Sequence, residues 1–228
     1  MRYYRNHWLY ANNPIAGAYL RHAYEIGIKN FNKLNFQPNF SKANFTSLLC
    51  GVGNERNADE FITFVINKNP SSTIWIIDIA EQNLKAVRDL VMNKYPNINI
   101  RIENVNALEL LKIISKNSID WIETDAFLEF FDNGSLEKLL TVWRELLKSD
   151  GFITTRDYVD GGMWSRLIIN PLRYLVMEMW LGVKIYQHSQ NDFNTIFDKV
   201  GLRVVQDSAF LPTYKHFSII KSDSHAKK

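Results

Sequence analysis

From Phe45 onward, short apolar runs alternate with amphipathic stretches, the pattern of strand–helix units that build a parallel sheet. Residues 45–50 (FTSLLC) are predicted as a buried first strand. Glycines follow. A helix is then predicted over 58–67, with Asn57 as its cap and Asp59 and Glu60 at its positive end. Residues 73–77 (TIWII) are β-branched and aromatic and make the second strand. Leu84, Val87, Leu90 and Val91 recur at helical spacing over 81–94, and Pro96 marks the stop.

The remaining units follow the same rhythm. Strand three is predicted over 98–102, a short helix over 108–115 and strand four over 119–122. The 136–147 stretch is a helix with Leu139, Leu140, Trp143, Leu146 and Leu147 on its apolar face. Ser149, Asp150 and Gly151 make a turn into strand five, 152–155. After a long middle segment, a helix over 192–200 ends at Gly201 through a left-handed cap. Residues 202–206 and 216–221 then form two strands joined too closely for a helical crossover, and so an antiparallel pair.

Bulk properties set limits on the function. A chain of 228 residues with 46% hydrophobic positions fits one globular domain. The opening MRYYRNHWLYANN has charged and amide side chains where a secretory leader is apolar. The longest apolar stretch, 167–183, is broken by Asn170, Pro171, Arg173 and Glu178, so no bilayer span is expected. Cys50 is the single cysteine, which excludes an internal disulfide and a cysteine-rich zinc site. The expectation is a soluble, cytoplasmic protein with no membrane partner.

The net charge of +3 is unevenly spread. Residues 1–45 hold Arg2, Arg5, Arg21, Lys29, Lys33 and Lys42 against the single acid Glu25, while 52–150 is net acidic. With Tyr3, Tyr4, Trp8 and Tyr10, this segment (1–44, an N-terminal helical arm) either contacts nucleic acid or covers the domain as solvated helices, the more ordinary role.

In a doubly wound sheet, ligands sit beyond the carboxyl ends of the strands. Gly51-Val52-Gly53 follows strand one, where the missing Cβ atoms let the backbone turn sharply and approach a ligand. Asp78 ends strand two, placed to accept hydrogen bonds from vicinal ribose hydroxyls. Asn106 follows strand three, where its amide could read an adenine edge. A nicotinamide fingerprint would need a glycine where Arg56 stands, and the Gly-Lys-Ser/Thr of a P-loop is absent.

Five segments together resemble the class I S-adenosylmethionine-dependent methyltransferases, over 45–228. SLLCGVGNE is similar to their glycine loop, IIDIAEQNL to their second-strand acid segment and NVNALEL to their adenine-side segment. IDWIETDAFLEFF resembles the fourth strand with its loop, and LLKSDGFITTRD the turn and fifth strand. The resemblance implies an α/β fold: a three-layer, doubly wound, seven-stranded sheet of order 3-2-1-4-5-7-6 with the last strand antiparallel. It implies S-adenosylmethionine as cofactor, held by Cys50, Gly51, Gly53, Glu55, Asp78, Ile79, Asn106, Ala107 and Thr124. Two positions depart from the family pattern: Ser47 stands where an acid is usual and Leu49 where a further glycine is usual. The acid often holds the methionine amino group, and Glu55 is a substitute for it.

Methyl transfer from a sulfonium needs alignment and exclusion of water, with a general base only for a protonated acceptor. Asp125, Asp157 and Tyr158 are the catalytic candidates beyond strands four and five, with Glu123 and Glu129 nearby. Asp125 and Asp157 stand where catechol-type O-methyltransferases place magnesium ligands, but Tyr158 replaces the asparagine that follows there, so no metal is expected. Thr124-Asp125-Ala126-Phe127 lacks the prolines of amide methyltransferases. His7, His22, His188, His216 and His225 show no metal spacing; His188 is a pocket base or a packing residue. Residues 158–190 read as an insertion, with Met163, Trp164, Tyr174, Met177, Met179, Trp180 and Tyr186 as an apolar lid and Gly161 and Gly162 as its hinge, or, equally, with 167–181 as a packing or dimer helix. An O- or N-methyltransferase of a small molecule is expected. The alternatives are methylation of RNA or protein, and cofactor binding without turnover.

Overall fold

Seven strands lie in the order β3-β2-β1-β4-β5-β7-β6 in the computed structural model, which describes residues 14–163, 165–180, 182–209 and 213–222. They are β1 (Thr46–Cys50), β2 (Thr73–Asp78), β3 (Ile100–Asn104), β4 (Ile119–Asp125), β5 (Leu147–Tyr158), β6 (Leu202–Ser208) and β7 (Tyr214–Lys221). The first five pair in parallel, and β7 runs antiparallel to both β5 and β6. The helices are α1 (Pro14–Asn30), α2 (Glu55–Lys68), α3 (Glu81–Lys94), α4 (Asn133–Leu146), α5 (Asn170–Tyr174) and α6 (Gln190–Val200). This is the expected three-layer fold.

The alternation of side chains along each strand divides the core into two halves. Leu48, Cys50, Trp75, Ile77 and Ile122 face the side covered by α4 and α6, against Trp143, Phe193 and Phe197. Leu49, Ile74, Ile76, Trp121 and Phe152 face the other side, against Leu20 and Tyr24 of α1 and Phe61 and Phe64 of α2. Trp121 stacks on Phe152 at 6.0 Å and takes the edge of Tyr24 at 6.0 Å. Burying chains of this size on both faces is what fixes the register, because a one-residue slip would exchange the two faces.

Several boundaries differ from the expectation. Helix α2 starts at Glu55 because Asn54, in extended conformation, caps it by accepting from the Asn57 N–H at 3.0 Å; Asn57 is inside the helix. Strand β3 runs two residues later than expected, since Ile98 N–H turns back to the Tyr95 carbonyl at 3.1 Å. The segment after it is a 3-10 helix, Ala107–Lys112, rather than α-helical. Ser149, Asp150 and Gly151 do not precede β5 but belong to it, carried by a register shift opposite Ile119 and Trp121. Gly151 is required there, because a Cβ would stand 2.8 Å from the Ile119 carbonyl oxygen. The left-handed Gly201 and the antiparallel β6–β7 pair stand as expected.

Helix α1 lies on the sheet. Ser218 Oγ donates to the Gly27 carbonyl at 2.6 Å, and a Cβ at Gly27 would be 3.0 Å from Thr154. Three of the basic residues of the 1–45 segment are in ion pairs: Arg21 with Glu60, Lys33 with Asp207, and Lys42 with Asp120 and Asp150. Arg2, Arg5, Tyr3, Tyr4, Trp8, Tyr10, His7 and His225 lie outside the described residues. No helix among the described residues is long and apolar enough to cross a membrane.

The 158–190 insertion contains α5 between two π-helical turns, Ser165–Ile169 and Leu175–Trp180, with the positive-φ glycines Gly162 and Gly182 on either side. Beside the buried Val159 and Ile185, polar contacts hold it: Arg173 pairs with Glu129 and donates to the Tyr214 hydroxyl at 2.6 Å. Met163, Leu167, Leu172, Tyr174, Met179 and Trp180 face outward instead of over a pocket. These residues therefore do not close over the cavity as the lid reading expects; Val183 and Lys184 are the part of the segment that reaches it. Trp164 lies outside the described residues.

Candidate functional site

A cavity of about 580 Å³ opens at the carboxyl ends of β1, β2, β4 and β5. Its floor is the loop after β1. Gly51 adopts φ +77° and donates its N–H to the Ile77 carbonyl at 3.0 Å; a Cβ there would stand 2.5 Å from the Phe127 ring. The loop is pinned from β2 and α3. Asp78 accepts from the Val52 N–H through Oδ2 and from the Ala80 N–H through Oδ1, both at 2.7 Å. Asn83 donates to the Val52 carbonyl at 2.6 Å, leaving its own Oδ1 buried and without a partner.

Of the residues expected to hold a cofactor, Gly51, Gly53, Asp78, Ile79, Asn106 and Ala107 line this cavity. Cys50, Glu55 and Thr124 do not. Cys50 is fully buried under α4, its thiol pushed far up by desolvation, and its carbonyl accepts from Thr124 Oγ1 at 2.7 Å. That bond ties β1 to β4, so the Thr124 side chain acts within the sheet. Glu55 begins α2 with one carboxylate oxygen, Oε2, buried and unpartnered, and lies outside the lining. Asn106 turns its Oδ1 to the Leu108 N–H at 3.0 Å, capping the following helix.

The three catalytic candidates separate. Asp125 lines the cavity and pairs with Arg156 at 2.7 Å. Burial raises its pKa, and the Arg156 guanidinium opposes that shift. Asp157 points to the other side of β5, as strand alternation requires. It accepts from the Leu128 N–H at 2.8 Å and from the Thr155 hydroxyl, fully buried, and desolvation pushes its pKa up to about 8. Tyr158 is buried beneath Arg173, whose guanidinium carbon lies 3.9 Å from its ring centroid, and bonds Ser165 and Asn170. Neither Asp157 nor Tyr158 reaches the cavity: one ties down the loop after β4, the other seats the insertion.

The remaining acids and histidines are similarly engaged. Glu123 bonds Thr154 within the sheet, where desolvation holds its pKa well above the ordinary carboxylate range. Glu129 pairs with Arg173, and burial pushes it up to about 7. His188 is buried, with Asn133 Oδ1 and the Phe131 carbonyl each 2.9 Å from a ring nitrogen, and desolvation lowers its pKa. It packs rather than lining the cavity as a base.

The structure adds residues that the sequence did not single out. Tyr19 and Leu20 of α1 and Arg156 of β5 close one side of the cavity. Phe127, Phe130 and Phe131 form an aromatic wall, and Val183 and Lys184 are the part of the insertion that reaches it. Arg156 had a sequence signal: in a strand of alternating faces, Arg156 and Asp157 cannot both point at one site. Tyr19 and Lys184 had none, being distant in sequence from every strand end.

No family model matches the chain, and no curated protein matches it in sequence. Solved structures do match in fold. The mitomycin 7-O-methyltransferase superposes with a TM-score of 0.60 at 15% identity, over 94% of this chain and 60% of that one. An O-methyltransferase family protein from Burkholderia thailandensis gives 0.63 at 15%, over 94% and 62%. The CurJ carbon methyltransferase gives 0.64 at 14%, over 94% and 57%. The chain thus spans about 60% of the length of these proteins. With the strand order, the antiparallel β7 and the cavity at the strand ends, these matches show that the chain has the class I S-adenosylmethionine-dependent methyltransferase fold.

Proposed function

We propose that this protein is an S-adenosylmethionine-dependent methyltransferase that acts on an oxygen or nitrogen of a small molecule. The observation that carries the reading is one cavity at the strand ends, lined both by the glycine turn with Asp78, Ile79, Asn106 and Ala107 and by Tyr19, Phe127, Phe130 and Phe131. The volume of about 580 Å³ lies within the range of roughly 300–1,000 Å³ common for small-molecule sites.

The residues fit an adenosyl group. Asp78 presents its carboxylate to the cavity, suited to ribose hydroxyls, while it also accepts the Val52 and Ala80 N–H groups. The unpartnered Asn83 Oδ1 is a further acceptor beside it. Val105 and Ala107 supply apolar surface for a base. When bound, the cofactor supplies an electrophilic methyl group on a sulfonium. The aromatic side chains lining the cavity suit exclusion of water there, and aromatic rings attract positive charge. Tyr19, Leu20, Val183 and Lys184 bound the space left for an acceptor.

Calorimetry and thermal melting with S-adenosylhomocysteine test the reading. A one-to-one complex with a raised melting temperature is expected, about 2.7 kcal/mol of stabilisation at a hundred times Kd. No heat and no shift at millimolar ligand would overturn it.

A further inference from the structure

We propose that the Asp125–Arg156 ion pair receives the amino-acid end of the cofactor, Asp125 taking its ammonium and Arg156 its carboxylate. The proposal rests on the methyltransferase reading and assigns a contact which that reading leaves open. The β1 strand has Ser47 where an acid is usual, and its hydroxyl is buried and unpartnered inside the sheet. Glu55 lies outside the cavity lining. An ammonium and a carboxylate entering a largely apolar cavity must still meet opposite charges, or lose their hydration uncompensated.

The sheet register shows where those charges are. β1 pairs β2 through Cys50 and Ile77, and β4 pairs β5 through Asp125 and Arg156. One residue past Cys50, Gly51 stands beside Asp78; two past the Leu49–Glu123 pair, it stands beside Asp125. Asp78, Gly51, Asp125 and Arg156 therefore form one row across β2, β1, β4 and β5. Neighbouring strands lie about 4.8 Å apart, so Asp125 is roughly 10 Å along the row from Asp78. A ligand with its ribose at Asp78 and crossing over Gly51 meets Asp125 as the next charge.

Both members of the pair hold unused bonding capacity. Arg156 Nη2 donates to Asp125 Oδ2 at 2.7 Å. Asp125 Oδ1 and Arg156 Nε and Nη1 are buried with no partner in the protein. One free acceptor and two free donors, fixed side by side, complement an α-ammonium and an α-carboxylate joined through one carbon. The cover is Tyr19, whose ring centroid lies 4.2 Å from the guanidinium carbon and whose own hydroxyl is buried without a partner.

The test compares S-adenosylhomocysteine with 5′-methylthioadenosine, which keeps the nucleoside and thioether but lacks the amino acid. The proteins are wild type, Arg156→Gln, Arg156→Lys and Asp125→Asn, each checked for an unchanged melting temperature. Wild type should prefer S-adenosylhomocysteine, and Arg156→Gln and Asp125→Asn should each weaken it about 10- to 100-fold, as for a lost charged hydrogen bond, with methylthioadenosine unchanged. Arg156→Lys should recover part of the loss, since it keeps charge without the fork. Unchanged S-adenosylhomocysteine affinity in folded Arg156→Gln and Asp125→Asn overturns the proposal, as does an equal loss of both ligands. If wild type binds neither ligand, the methyltransferase reading itself fails, an outcome distinct from failure of the pair.

Discussion

Replacing Asp78 by alanine tests the β2 carboxylate, and the structure shows that the experiment has two parts to separate. Asp78 accepts the backbone N–H groups of Val52 and Ala80, both at 2.7 Å, and so holds the glycine loop in place. Desolvation raises its pKa, while hydrogen bonds from Ala80, Val52, Asn83 and Ile79 favour the charged form. Loss of a charged acceptor should weaken S-adenosylhomocysteine by about 1.5–3 kcal/mol, or about 10- to 150-fold. Part of that loss would come through a disordered loop and part through the ribose. A cycle with adenosine and 2′,3′-dideoxyadenosine on wild type and Asp78→Ala divides them by calorimetry. A direct contact predicts a coupling of about 1 kcal/mol or more between the hydroxyls and the carboxylate. No coupling would mean that Asp78 only shapes the loop. Wild-type affinity for S-adenosylhomocysteine in a folded Asp78→Ala would refute both contributions.

Other outcomes follow from the same geometry. Gly51→Ala places a Cβ at positive φ and 2.5 Å from Phe127, so it should lower the denaturant midpoint and abolish cofactor binding; Gly51→Ala with Phe127→Ala should regain only part of the stability, since about 1–2 kcal/mol of backbone strain remains. Asp157, pushed up to about 8 from 3.8 in the ordinary chain, binds protons more tightly when folded, so its contribution is fullest at acid pH and falls as pH rises from about 4 to 8. Melting curves should therefore show Asp157→Asn gaining on wild type between pH 5 and 8.5, and a constant gap would refute the shift. Tyr158→Phe removes the hydroxyl that bonds Ser165 and Asn170 and should loosen the insertion by about 1–2 kcal/mol, read as faster proteolysis within 163–180, with cofactor affinity within a few fold of wild type. Loss of cofactor binding there would place Tyr158 in the site after all.

Local pattern determined most of the sheet. The runs FTSLLC and TIWII and the Asp78 and Gly51 positions at their ends were legible because buried parallel strands are short segments rich in apolar and β-branched residues, and ligands gather where such segments stop. The antiparallel β6–β7 pair was legible because its connection is too short to cross over. What the pattern could not supply was the direction of individual side chains beyond the strand ends. Asp125 and Asp157 look equivalent in sequence, but the register turns Asp125 to the cavity beside Arg156 and buries Asp157 under the Leu128 amide. The insertion was read from its aromatic and methionine content as a lid. Instead, Arg173 binds Glu129 and Tyr214 and turns its apolar side outward. A hydrophobic pattern reports which residues share a face. Which face is buried depends on the charges waiting on the rest of the molecule, and for Arg173, Glu129 and Tyr19 those partners are brought together only by the fold.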